Sequence, residues 1–94
     1  MELAAELYKL LENLPNEEKY GLVSQMKRCA ISIPSNIAEG AGPNTNGEFR
    51  QFSGIATASS YELETHLLLC QELNFISENE VHSFLLQLGK LISL

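Results

Sequence analysis

The chain has 94 residues, a mass of 10.4 kDa and a formal charge of −6, from twelve acids and six bases. That length fits one domain, residues 1–94, with a modest core, because a chain this size hides only about two-thirds of its unfolded surface. A hydrophobic fraction of 45% argues against disorder, and the lack of an 18-residue uncharged apolar window argues against a membrane span.

All twelve acids are Glu, a far better helix former than Asp, so the composition leans helical. The opening Met-Glu-Leu-Ala-Ala-Glu lacks the basic-then-apolar order of a secretion signal. Two cysteines do not make a disulfide framework, and a cytoplasmic setting is the expectation.

Segment one, Glu2 to Asn13, carries Leu3, Leu7, Leu10 and Leu11 on one helix face, with Leu14 just beyond. It is short and looks like the remnant of a longer helix. Segment two, Pro15 to Glu39, opens on a proline suited to the first helical position, with Glu17 and Glu18 favoured by the helix dipole. Its apolar stripe is Leu22, Met26, Cys29, Ala30, Ile33 and Ile37. Pro34 interrupts that stripe, and an interior proline costs about 3 kcal/mol or more. The apolar period stays in phase on both sides, which predicts a kink and not a break. Gly40 and Gly42 offer C-terminal caps, and Pro43 blocks continuation.

Segment three, Asn46 to Leu73, begins with the capping box Thr45-Asn46-Gly47-Glu48. Its stripe runs Phe49, Phe52, Ile55, Ala56, Ser59, Leu63, Leu67, Cys70, Leu73, and Asn74 can end the helix in the left-handed conformation. Segment four, Glu78 to Leu94, begins with a second box, Ser77 to Glu80, and Ile76 and Val81 are spaced as a hydrophobic staple. Its stripe is Val81, Phe84, Leu85, Leu88, Leu91 and Ile92. The predicted class is all-α, an up-down-up-down four-helix bundle with a proline-kinked second helix. The alternative is a three-helix bundle with segment one loosely attached.

Two features lie beside the core pattern. Gln25, Arg28, Ser32, Asn36 and Glu39 fall within an arc of roughly 80° on segment two, next to the apolar face. They read either as a solvated helix side or as a hydrogen-bonded network at a helix or subunit contact. Arg28 suits a carboxylate fork, and Asn36 lies near backbone groups that Pro34 frees. The second feature is apolar character outside the core arc: Ile31 and Ala38 on segment two, and Gly54, Ala58, Tyr61 and Leu68 on segment three, with Thr57 at the edge. Such a patch suggests an interface between copies of the chain, with Ile31, Gly54, Tyr61 and Leu68 as its residues.

The residues for chemistry are sparse. His66 and Cys70 are spaced i, i+4, and Cys29 would be a third donor, but both cysteines sit on core stripes and read as inert filler. Glu62 and Glu64 point to different sides of a helix and do not form a carboxylate pair. Gly40-Ala41-Gly42-Pro43 lacks the Lys and Ser/Thr of a phosphate loop. The expectation is no enzyme, no catalytic residue, no cofactor and no metal. Among the bases only Lys27 and Arg28 are adjacent, so nucleic-acid binding is disfavoured by charge, although a local patch of Lys27, Arg28 and Arg50 is one arrangement that would serve it.

The run Leu14-Pro15-Asn16-Glu17-Glu18-Lys19-Tyr20-Gly21-Leu22, then Gln25 to Ala30, Ser32 to Gly40, and in segment three Glu48-Phe49, Phe52, Ile55-Ala56, Ser59 and Glu62-Leu63-Glu64 carry a family likeness. The chain resembles the four-helix-bundle family named for proteins encoded in intervening sequences of bacterial 23S ribosomal RNA genes. The resemblance implies a cytoplasmic bacterial protein assembling with itself into a ring of five, and it places Gln25, Arg28, Ser32, Asn36, Glu39 and Gly40 on the family motif. A related member, the accessory subunit of retroelement reverse transcriptases, binds nucleic acid through a basic ring. The runner-up function is therefore an RNA- or DNA-binding accessory linked to fragmented ribosomal RNA or to such a reverse transcriptase. Two departures count against it. Pro43 stands where the family often has a base, and five chains of −6 each would carry −30. The first helix also lacks the family's usual opening turns.

Overall fold

A computed structural model describes residues 2–92, so Met1, Ser93 and Leu94 lie outside it. Four helices carry the chain: α1 (Glu2–Leu11), α2 (Leu22–Gly40), α3 (Asn46–Glu72) and α4 (Glu78–Ile92), with one 3-10 turn at Asn16–Glu18.

The start of the second segment differs from expectation. Pro15 adopts extended backbone (φ −60°, ψ 150°) and leads only into the single 3-10 turn, which has no side-chain cap and no buried residue. Asn16 to Lys19 offers nothing apolar to pack, so the turn does not propagate. Gly21 then takes φ −106° and ψ −99°, outside the helical well, and re-aims the chain into α2 at Leu22. From there α2 runs unbroken through Pro34 to Gly40.

The other helix ends follow their local chemistry. The Glu48 amide donates to Thr45 Oγ1 at 3.1 Å, and the Thr45 amide donates to Glu48 Oε1 at 2.9 Å, closing the capping box of α3. Hydrogen bonding from Thr45 holds the Glu48 carboxyl below the usual carboxylate range. Ser77 and Glu80 repeat the arrangement at α4, at 3.1 and 3.2 Å, and Ile76 and Val81 are both buried as the staple. α3 ends in a Schellman motif: Asn74 takes φ 61°, its amide donates to the Gln71 carbonyl at 3.0 Å, and the Phe75 amide donates to the Cys70 carbonyl at 2.9 Å.

The end of α2 is a correction. No glycine of the described residues has positive φ, and the capping position is Ala41 in right-handed helical geometry. The Asn44 side chain serves instead, donating to the carbonyls of Glu39 at 2.6 Å and Gly42 at 3.1 Å.

α2 packs most extensively on α3, α3 on α4, and α1 on both α2 and α4. α2 and α3 are antiparallel, since Met26 meets Cys70, Ser32 meets Ser59 and Gly40 meets Phe52. The core takes Leu7, Leu11 and Leu14 from the first segment, Met26, Cys29, Ala30 and Ile33 from α2, Leu63, Leu67 and Cys70 from α3, and Val81, Phe84 and Leu88 from α4. Each fully buried Leu contributes about 1.5–3 kcal/mol of transfer free energy. The predicted α3 stripe overshoots this core: Phe49, Ile55 and Leu73 are 52%, 39% and 48% exposed. α3 is about 40 Å long against about 15 Å for α1, so its periodic face continues past the neighbours that could cover it.

Candidate functional site: the polar seam between the second and third helices

The stripe Gln25, Arg28, Ser32, Asn36 reaches α3 through Arg28 and Ser32 and divides into two clusters, with Gln25 bonded to the first and Asn36 to the second. At the first, Arg28 donates through Nε and Nη2 to Gln25 Oε1, both at 3.2 Å, and its Nη2 pairs with Glu62 Oε2 of α3. The same Glu62 oxygen lies 3.4 Å from His66 Nε2, one turn further along α3. The hydrogen bond from Arg28 holds the Glu62 carboxyl below the usual carboxylate range, and the Glu62 carboxylate raises Arg28. Both side chains stay partly in water, so the pair orients the helices more than it stabilises them.

At the second cluster, Ser32 Oγ and Ser59 Oγ lie 3.0 Å apart across the helix contact. Asn36 Nδ2 donates to the Ser32 carbonyl at 2.8 Å and to Ser32 Oγ at 3.2 Å. The expected role of Asn36 is thereby corrected. An interior proline at position 34 deprives the carbonyl of residue 30, four earlier, whereas Asn36 bonds its own i−4 carbonyl at Ser32. Every buried side-chain polar atom of the described residues has a partner.

The stripe does not extend as one network. The Glu39 side chain is exposed, and only its backbone carbonyl is engaged, by Asn44. Gly40 is buried for a steric reason: a Cβ there would sit 3.4 Å from Phe52 Cβ and 3.8 Å from the Phe49 ring. It lets the end of α2 close onto the start of α3.

Three members of this site are not evident as such from residue spacing: Glu62, Ser59 and His66. Ser59 falls on a core stripe, where a hydroxyl among apolar groups signals a partner across the helix. Glu62 invites comparison only with its neighbour Glu64. The need of Arg28 for a carboxylate is legible, but which glutamate meets it depends on the helix register.

The thiols are poor nucleophiles. Burial pushes Cys29 and Cys70 each up to about 11, with Glu62 adding to the first and Glu18 to the second. Cys70 faces Met26 Sδ at 3.8 Å while His66 turns to Glu62, so the i, i+4 pair does not converge. Among the described residues, no three of His, Cys, Asp and Glu come together as metal donors. The basic patch is also dispersed. Lys27 lies over the Tyr8 ring at 4.7 Å, Arg28 is paired, and Arg50 sits about 18 Å along α3 from Glu62. The antiparallel register of α2 and α3 is what separates them.

Ile31, Tyr61 and Leu68 are 55%, 66% and 46% exposed, and Gly54 has open space where a Cβ would stand.

These features define a small all-α bundle whose two central helices are joined by a satisfied polar seam. The chain belongs to the family of 23S rRNA-intervening sequence proteins, whose model matches residues 1–94. No curated protein matches it. No helix of the described residues is long and apolar enough to cross a membrane.

Proposed function

We propose that the chain is a non-catalytic bundle that assembles with copies of itself, into a ring of five, and serves as an interaction or scaffold protein in the bacterial cytoplasm. The observation that carries this reading is the set of large apolar groups left in water by the single chain, Ile31 on α2 and Tyr61 and Leu68 on α3. Large apolar groups exposed on neighbouring helices are a usual mark of a contact between macromolecules. The polar seam supports the reading indirectly: it fixes α2 against α3, so the outer faces of both helices are presented rigidly.

The reading as a nucleic-acid accessory would need a basic footprint, and the charge of −6 with Lys27 and Arg28 already engaged weighs against it. Light scattering at micromolar concentration tests the first reading. A mass of about five times 10.4 kDa is expected, and a mass of 10.4 kDa overturns it. Salt-dependent binding to structured RNA at low ionic strength would favour the accessory reading instead.

A further inference from the structure

A cavity of about 410 Å³ opens beside the first turn of α1, bordered by all four helices. Its floor is apolar and buried: Ala30 and Ile33 of α2, Leu63 of α3 and Phe84 of α4. Ala4 of α1 and Ala30 line the space with single methyl groups, which leaves the room a larger side chain would take. Its polar lining comes from one side of α4. Gln87 and Lys90 stand one turn apart there, both exposed, at the rim. Among the described residues no carboxylate lines the cavity, and Glu6 borders a separate hollow with Lys9 and Glu80. The ion pairs among the described residues are those of Glu62 with Arg28 and His66, so Lys90 is matched in none of them.

An apolar chamber with a cation and an amide at its rim is complementary to an apolar chain that ends in an anion. From this arrangement we infer that the cavity binds a free medium-chain fatty acid, its acyl chain against Ile33, Leu63 and Phe84 and its carboxylate at Lys90 and Gln87. The Lys90 ammonium supplies the opposite charge, and the Gln87 amide is a second donor to the carboxylate oxygens. The volume lies in the lower part of the range of small-ligand sites, about 300–1,000 Å³, and suits a single chain of about ten carbons rather than a two-chain lipid. None of the residues that border the cavity belongs to the exposed set Ile31, Tyr61 and Leu68, so the inference stands apart from self-assembly.

Titration calorimetry of the unaltered chain with decanoate, kept below its micelle concentration, tests this. Saturable binding of one decanoate per chain is expected. Octanoate is expected to bind about tenfold more weakly, since each buried methylene changes affinity by about fourfold. Decyltrimethylammonium has the same chain and the opposite charge, and is expected to bind at least about tenfold more weakly than decanoate. Lys90→Glu lies on exposed surface and is expected to fold, to lose about tenfold in decanoate affinity and to gain affinity for the cationic amphiphile. Ala4→Leu fills the space and is expected to abolish decanoate binding with the melting temperature maintained. If that variant does not fold, Lys90→Glu decides alone. No saturable binding of decanoate overturns the inference. Equal affinity for the two head groups, or decanoate binding unchanged in Lys90→Glu, overturns it as well, since either result means an apolar surface without a carboxylate site.

Discussion

Ser32 of α2 and Ser59 of α3 face each other with their hydroxyl oxygens 3.0 Å apart, so the two helices exchange a neutral hydrogen bond about one turn along from the Arg28–Glu62 ion pair. Ser59 is 7% exposed, so its hydroxyl is bound to this partner and not to bulk water. Ser59→Ala is expected to cost about 1 kcal/mol, the net worth of a buried neutral hydrogen bond. The double change with Ser32→Ala is expected to cost less than the two single changes together, because both remove the same bond. Urea unfolding of the four proteins measures this, and strict additivity would show that the hydroxyls are not coupled.

Asn36→Leu removes the donor to the Ser32 carbonyl. That carbonyl is helical, so the change is expected to cost about 1 kcal/mol without unfolding the chain. A midpoint in urea equal to that of the unaltered protein would mean that water replaces the amide at no cost.

Glu62 makes acid stability testable. Its pKa is depressed in the folded chain by the hydrogen bond from Arg28. The stabilisation is therefore complete above the ordinary carboxylate value and is lost as pH falls through the depressed folded value. Glu62→Gln is expected to flatten the loss of stability on the acid side of that range and to leave Arg28 with a neutral partner. Thermal unfolding followed from neutral pH downward reads the difference, and parallel curves for the two proteins would refute it.

Gly40 has room for one carbon and no more. A Cβ would touch Phe52 Cβ at 3.4 Å, an ordinary contact, and its φ is not positive. Gly40→Ala is thus expected to be neutral or to stabilise by up to about 1 kcal/mol through helix propensity. Gly40→Leu is expected to destabilise by about 1–3 kcal/mol through overpacking against Phe49 and Phe52. Equal melting temperatures for the two variants would show that α2 and α3 separate freely at that end.

The thiols give a kinetic prediction. With both pushed up to about 11 and buried, neither Cys29 nor Cys70 is expected to react with an aromatic disulfide reagent at mildly alkaline pH while the chain is folded. Both should react at once in strong denaturant. Rapid labelling of one thiol in the native protein would show that the core opens locally.

Residue order alone dictates the helices and most of their ends. Thr45 with Glu48, Ser77 with Glu80 and Asn74 act through groups at most four residues away, and such local hydrogen bonds form wherever the chain goes. It dictates most of the core as well, because Met26, Cys29, Ile33, Leu63, Leu67 and Leu88 repeat at the helical period. That Arg28 takes Glu62 and Ser32 takes Ser59 is settled only when the helices pack. Those two bonds span 34 and 27 residues and depend on how far α3 slides along α2, which no local spacing records. Packing equally leaves Phe49 and Leu73 in the open, since periodicity says which way a side chain faces but not whether a neighbour is long enough to cover it.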